Sequence, residues 1–356
     1  MNNINKCLKI IDRLNADALL LCDEANMHYI CGFSPSEGRI LITHNHAYQL
    51  VDSRYTETAL QHSKENGLTV IEISRSFNEH TAELVQKSGV KVLAFEDQTI
   101  SYKIHKDLCQ MLNSVELTEL GDLLMRERNR KEVQEIIYMK QANAIAEKAF
   151  LELLNHIKAG KTEKELASYF DYLMAKYGSD GVSFDTILLT GAHTSMPHGV
   201  PDDRTIKSGD FVLFDFGATY KGYHSDMTRT VCAGTPTDEM KEAYDLVLRA
   251  QLAGIKALDD GVKCSDVYKA AYNVLAEKNM AEYFRHSLGH GVGLEIHEGF
   301  NASPKSTDTY ETGNVTSIEP GIYIPDKFGI RIEDVCYLSP RGRENLSTIT
   351  KKLITL

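Results

Sequence analysis

Short apolar runs alternate with amphipathic stretches along the N-terminal third of the chain. The runs are Ala18–Cys22, Arg39–Thr43, Ala47–Val51, Thr69–Ile73 and Lys91–Phe95. Runs of this length, separated by segments with helical spacing, predict a small α/β domain over residues 1–122. A Gly121-Asp122 break follows. The charged segment Met125–Lys131 then reads as a linker, or as the start of the first helix of a second domain over 123–356. From Lys131 to Ile157 apolar residues recur at helical spacing (Val133, Ile136, Ile137, Ala144, Ile145, Ala149), with Gly160 as the stop. Thr162-Glu163-Lys164-Glu165 is a capping box opening the next helix, to about residue 177. A second helix pair, Asp238–Leu258 and Ser265–Lys278, follows Pro236. Each pair leads into strand-like segments, so the second domain reads as a repeat in pattern without sequence identity. Two similar halves facing each other place a site at their shared seam, and the whole chain is expected to be α+β.

Those strand-like segments hold the chemistry. Asp215 and Asp226 flank a turn at Lys221-Gly222, and Glu319 and Glu333 flank a turn between Pro325 and Gly329. Folded as hairpins, each pair would set its carboxylates across from one another. Between the pairs lies His290, in Gly289-His290-Gly291. Each acid has a plain explanation of its own: a salt bridge for Asp215, a turn cap for Asp226, a turn acid for Glu319, a solvated strand end for Glu333. Four together, converging on one spot, would repel unless cations lay between them. Four carboxylates and one imidazole suit Mn, Co, Fe or Zn better than a thiolate-seeking metal. Two metals sharing carboxylates would acidify a water enough for it to attack a carbonyl near neutral pH.

Composition narrows the rest. The formal charge of −11 lacks the basic stripe that nucleic acid requires. The N-terminus does not read as a signal peptide and no window approaches a membrane span, so a cytoplasmic protein is expected. Seven scattered cysteines without a CxxC read as free, buried thiols.

Several segments resemble, in order and spacing, the creatinase/prolidase/methionine aminopeptidase superfamily, the pita-bread metallopeptidases, and most closely its proline-specific branch. Asn26–Phe33 and Val51–Tyr55 resemble its N-terminal domain. Met196–Gly199, Asp215–Gly217, Ser225–Thr230, Gly289–Gly291, Ile318–Gly321 and Arg331–Asp334 resemble its catalytic motifs. The resemblance covers nearly the whole chain. It implies a creatinase-like α/β domain followed by a pita-bread catalytic domain with two divalent metals, Mn favoured and Co, Zn or Fe as alternatives. Asp215 would chelate one metal, Asp226 and Glu333 would bridge both, and His290 and Glu319 would complete the second. Glu319 would also orient or deprotonate the attacking water. His198 and His297 would contact the substrate carbonyl, while His286 and Arg331 would line or support the site. A homodimer is implied as well.

The implied substrate is a peptide with proline second. In dipeptidase members an Arg four residues after the second His can grip the dipeptide's carboxylate. Here that position is Asn301. Loss of that charged fork favours an Xaa-Pro aminopeptidase over an Xaa-Pro dipeptidase. A metal-free creatinase-like hydrolase or a non-catalytic binding protein remains as an alternative that the intact ligand set disfavours.

Overall fold

The computed structural model describes residues 3–356. The chain divides into two compact units, Met1–Arg128 and Asn129–Leu356. The first contains α1 (Ile4–Arg13), β1 (Ala18–Leu21), α2 (Glu24–Cys31), β2 (Gly38–Thr43), β3 (Ala47–Val51) and α3 (Thr56–Asn66). It continues with β4 (Thr69–Glu72), α4 (Phe77–Lys87), β5 (Val92–Phe95), α5 (Tyr102–Met111), β6 (Glu116–Glu119) and α6 (Leu123–Asn129). Its strands form one mixed sheet in the order β4-β3-β2-β1-β5-β6. All five apolar runs became strands. The strand that the pattern leaves out is β6, an edge strand whose Glu116 and Glu119 are exposed, so it carries no apolar run. The charged segment before Lys131 lies largely in α6, and the two units divide between Arg128 and Asn129.

The second unit begins with a helix pair, α7 (Val133–Leu153) and α8 (Glu163–Lys176), and β7 (Gly181–Val182). The capping box forms as expected: Glu165 donates its N–H to Thr162 Oγ1 and its carboxylate accepts the Thr162 N–H, at 3.1 and 3.0 Å. Strands β8 (Ile187–Thr190), β9 (Asp210–Phe216) and β12 (Met227–Ala233) make an antiparallel sheet, with the short hairpin β10 (Ala218–Tyr220) and β11 (Tyr223–His224) inserted between β9 and β12. The second pair, α9 (Asp238–Ala257) and α10 (Cys264–Ala276), precedes β13 (Gly289–Gly291), β14 (Glu298–Ala302) and β15 (Val315–Ile318). The chain then forms the hairpin β16 (Gly321–Ile324) and β17 (Phe328–Arg331), and ends with β18 (Asp334–Ser339) and β19 (Gly342–Asn345). Strands β14-β13-β15-β18-β19 make a five-stranded antiparallel sheet.

Each helix pair has its own core. Phe150, Phe170, Phe214 and Phe216 pack between the first pair and its sheet. Val247, Ala271, Leu288, Ile318 and Ile332 pack between the second pair and the other strands. The pattern repeat is therefore a repeat in architecture. Its apolar stripes are imperfect guides to burial, however, since Val133 and Ile137 are exposed on α7. The seven cysteines are free, but Cys22 is half-buried and Cys109 exposed. No described helix is long and apolar enough to cross a membrane.

Candidate metal centre

Lys221 and Gly222 both take positive φ, 53° and 78°, and close a two-residue hairpin between Tyr220 and Tyr223. Turns with positive φ at both central positions match the right-handed twist of paired strands. On either side of that hairpin β9 and β12 pair with Asp215 opposite Thr228. Asp226 therefore lies diagonally from Asp215, one step along the same face, and not directly opposite as the simple hairpin reading expects. The Glu pair does lie opposite. β16–β17 pairs Gly321 with Arg331 and β15–β18 pairs Ile318 with Asp334, and the same register continued between the two ladders sets Glu319 across from Glu333.

His290 enters from β13, which lies between β14 and β15 in the five-stranded sheet. A Cβ on Gly289 would sit 1.9 Å from the Ser317 carbonyl oxygen, and one on Gly291 would sit 2.1 Å from that of Glu298. Only glycine lets the neighbouring strands close on β13 from both sides, which fixes the histidine between them. His290 Nδ1 lies 3.1 Å from the Gly291 carbonyl oxygen and donates to it, so Nε2 keeps its lone pair. That Nε2 is 3.5 Å from both Asp226 Oδ2 and Glu319 Oε1.

All nine residues singled out from the sequence line one cavity of about 630 Å³. His198 and His297 are exposed on its open side. His297 packs edge-on against His290, with ring centroids 4.1 Å apart. Arg331 is buried and is the single Lys or Arg among the described lining residues. It donates through Nη2 to Asp215 Oδ2, through Nε to Thr228 Oγ1 at 3.0 Å, and through Nη1 to the Tyr323 hydroxyl at 2.6 Å. Thr228 passes the contact on, donating to Glu333 Oε2 at 2.7 Å. His286 Nδ1 donates to the Ser287 carbonyl at 2.7 Å, leaving Nε2 to accept the Tyr323 hydroxyl at 3.0 Å.

Burial, then the charges of Asp215 and Glu319, push the Asp226 carboxyl well above its ordinary range. Burial, then Asp226, Glu319 and Asp215, do the same to Glu333. Glu319 is pushed up to about 8, chiefly by burial. Burial also pushes His290 and His286 down to about 4, so both imidazoles are neutral at pH 7. One guanidinium cannot offset four carboxylates, and burial, with the neighbouring acids, favours the protonated form of Asp226, Glu319 and Glu333.

Residues 137–340 match the model of metallopeptidase family M24, and residues 3–130 match the creatinase/prolidase N-terminal domain. The chain belongs to metallopeptidase family M24. It is 36% identical to the Xaa-Pro dipeptidase of Pyrococcus horikoshii over 352 residues, covering 99% of this chain and 98% of that one. Among solved structures, the Xaa-Pro dipeptidase from Bacillus anthracis superposes with a TM-score of 0.94 at 35% identity, covering 99% of each chain. The X-Pro aminopeptidase from Thermotoga maritima does so at 0.91 and 37%, covering 97% of this chain and 99% of that one.

An M24 metallopeptidase implies divalent metal ions, and the residues present fit them. Asp215 Oδ1 and Glu333 Oε1 are buried acceptors with no hydrogen-bond partner among the described residues. Ligand atoms of Asp226, His290 and Glu333 lie within 4.8 Å of one another. Stranded acceptors beside a neutral imidazole are a donor set for a cation. The salt bridge that could have explained Asp215 alone does form, but it uses one of its two oxygens.

Sequence reasoning missed Thr228, Tyr323 and Ser317, whose Oγ donates to Glu319 Oε1 at 3.3 Å. The signal was period two. Thr228 shares a face with Asp226, and Ser317 and Tyr323 share one with Glu319. It also left Asn301 without a place. The register sets Asn301 directly across from His290, on the cavity wall with Phe184, Ile187, Ile296 and Phe300.

Proposed function

We propose that this M24 metallopeptidase removes an N-terminal residue that is followed by proline, holding two divalent cations, Mn favoured, on Asp215, Asp226, His290, Glu319 and Glu333. The observation that carries the reading is the buried cluster of four acids and one neutral imidazole with two stranded oxygens. In this reading Asp226 and Glu333 would serve both cations, Asp215 would complete one position, and His290 with Glu319 the other. Cations bound there would polarise the scissile carbonyl and lower the pKa of the attacking water. Glu319 orients that water and receives its proton at the carboxylate. His198 and His297, at the open side, donate to the carbonyl oxygen as negative charge develops on it. Arg331 holds Asp215 and, through Thr228, Glu333, so the two acids keep their geometry when the cavity fills.

Specificity for proline at the second position is supported by the names of the related proteins. Their names also divide over peptide length. Asn301, facing the cavity beside His290, offers no positive charge for a dipeptide's carboxylate. That favours an aminopeptidase accepting longer peptides. The dipeptidase reading is favoured by the recurrence of Xaa-Pro dipeptidases and prolidases among the related proteins. After Mn or Co loading, bound metal should approach two equivalents, and less than one would overturn the metal assignment. A comparison of Leu-Pro with Leu-Pro-Pro then decides length: higher kcat/KM on the longer peptide is expected, and a strong preference for the bare dipeptide makes the chain a dipeptidase.

A further inference from the structure

His198 stands on a loop, 191–203, and among the described residues nothing hydrogen-bonds its ring. Its position must come from the backbone beneath it. Glu163, the first residue of α8, is fully buried at the base of that loop. Its Oε1 accepts the backbone N–H of Thr190, where β8 ends, at 2.7 Å. Its Oε2 accepts that of Asp202, at the loop's far end, at 3.1 Å. Both oxygens also face His193 Nδ1, at 3.0 and 2.9 Å. One carboxylate thus gathers the entry, the exit and an inner residue of the same loop.

His193 in turn supports the turn that carries His198. Met196 donates its N–H to the His193 carbonyl at 3.0 Å, and Gly199 donates to the Met196 carbonyl at 3.0 Å. This closes a four-residue turn with Pro197 second, where its fixed φ suits the geometry, and His198 third. A Cβ on Gly199 would lie 3.2 Å from His193 Nε2 and 2.8 Å from Leu189 Cδ1, so the turn rests on the imidazole itself.

Glu163, His193 and Asp202 are also close enough together to hold a metal. They are committed otherwise. Every Glu163 oxygen is engaged, and Arg204 Nη1 lies 3.4 and 3.5 Å from the two His193 ring nitrogens while pairing with Asp202. A guanidinium against the ring repels a cation.

We propose that Glu163 and His193 form a positioning clasp that sets where His198 meets the substrate carbonyl. The proposal rests on the reading of His198 as a substrate contact. Misplacement by about 1 Å can cost on the order of a hundredfold in rate, so the clasp should be visible in kcat. The test is a double-mutant cycle in the full, metal-loaded chain with Leu-Pro-Pro. His193→Ala should lower kcat by about tenfold to a hundredfold, with bound metal and Tm near the parent's, and should add nothing to His198→Ala. His193→Asn keeps an N–H toward Glu163 and should restore most of the turnover. Gly199→Ala, which displaces the turn from Leu189 and the His193 ring while keeping both clasp side chains, should mimic His193→Ala, and it carries the cycle if His193→Ala fails to fold. Unchanged kcat in both clasp variants, or full additivity with His198→Ala, overturns the clasp and leaves the role of His198 standing. Parental turnover in His198→Ala instead removes that role, and the clasp with it.

Discussion

Glu333 and Asp334 follow one another where β18 begins, point to opposite faces because side chains alternate along a strand, and are 1% and 0% exposed. Asp334 accepts from Arg229 at 2.7 Å, Lys351 at 2.7 Å, Asn345 at 2.7 Å and Gln251 at 3.1 Å. Burial alone would push its carboxyl up, yet Arg229 and Lys351 hold it below the ordinary range. Among the described residues Glu333 has a single side-chain donor, the Thr228 hydroxyl, and its other oxygen has none. Burial and three neighbouring acids push it the other way. Depth is the same on both faces; the number of donors is not. The chain supplies everything Asp334 requires, making a closed structural pair. It leaves Glu333 incomplete, which fits a site finished by cations from solution. Arg229 joins the two faces, since it also donates to the backbone carbonyls of Glu333 and Thr228.

The contrast is most easily broken by removing each charge in turn. Asp334→Asn leaves Arg229 buried without its counter-ion and should cost about 3–5 kcal/mol in urea denaturation. Glu333→Gln should leave the metal-free protein at least as stable as the parent, while abolishing metal retention and turnover. Equal stability losses in the two variants would refute the distinction.

Glu96 in the N-terminal unit sharpens it, being a buried acid with neutral donors. It accepts the N–H groups of Cys22 and Asp23 and the Asn26 amide, and burial pushes it up to about 7 from 4.5. Because its folded value is the higher one, its contribution is fully present below about pH 4.5 and is lost as pH rises through about 7. At about 1.4 kcal/mol per unit this is on the order of 3 kcal/mol. Glu96→Gln should flatten stability over that window, measured by urea melts at stepped pH; an unchanged slope would show that neutral donors suffice to hold the charge. The smallest expected effect is that of Thr228→Val. Removing the hydroxyl between Arg331 and Glu333 should weaken metal binding or turnover by about 10–100-fold with little change in stability.

Much of this was legible in the sequence because it is local. Lys221-Gly222 announces its turn, Thr162 and Glu165 their helix start, and the register of the Glu pair follows from a hairpin centred between Pro325 and Gly329. The offset of Asp215 from Asp226 was hidden because the register depends on how β9 and β12 pair across an inserted hairpin. Thr228 was hidden because a neutral, fully buried residue carries no charge to attract notice. The Glu163–His193 contact spans a helix and a loop, and no local pattern joins them.

Register also couples two positions of opposite mutational tolerance. His290 is hemmed in by glycines that admit no side chain, whereas Asn301, its cross-strand partner, is exposed. Substitution at 301 would change the lining of the cavity while leaving in place the glycines that hold the imidazole's strand. Peptide preference can therefore drift while hydrolysis is conserved, and chains with one ligand set can diverge in the peptides they trim.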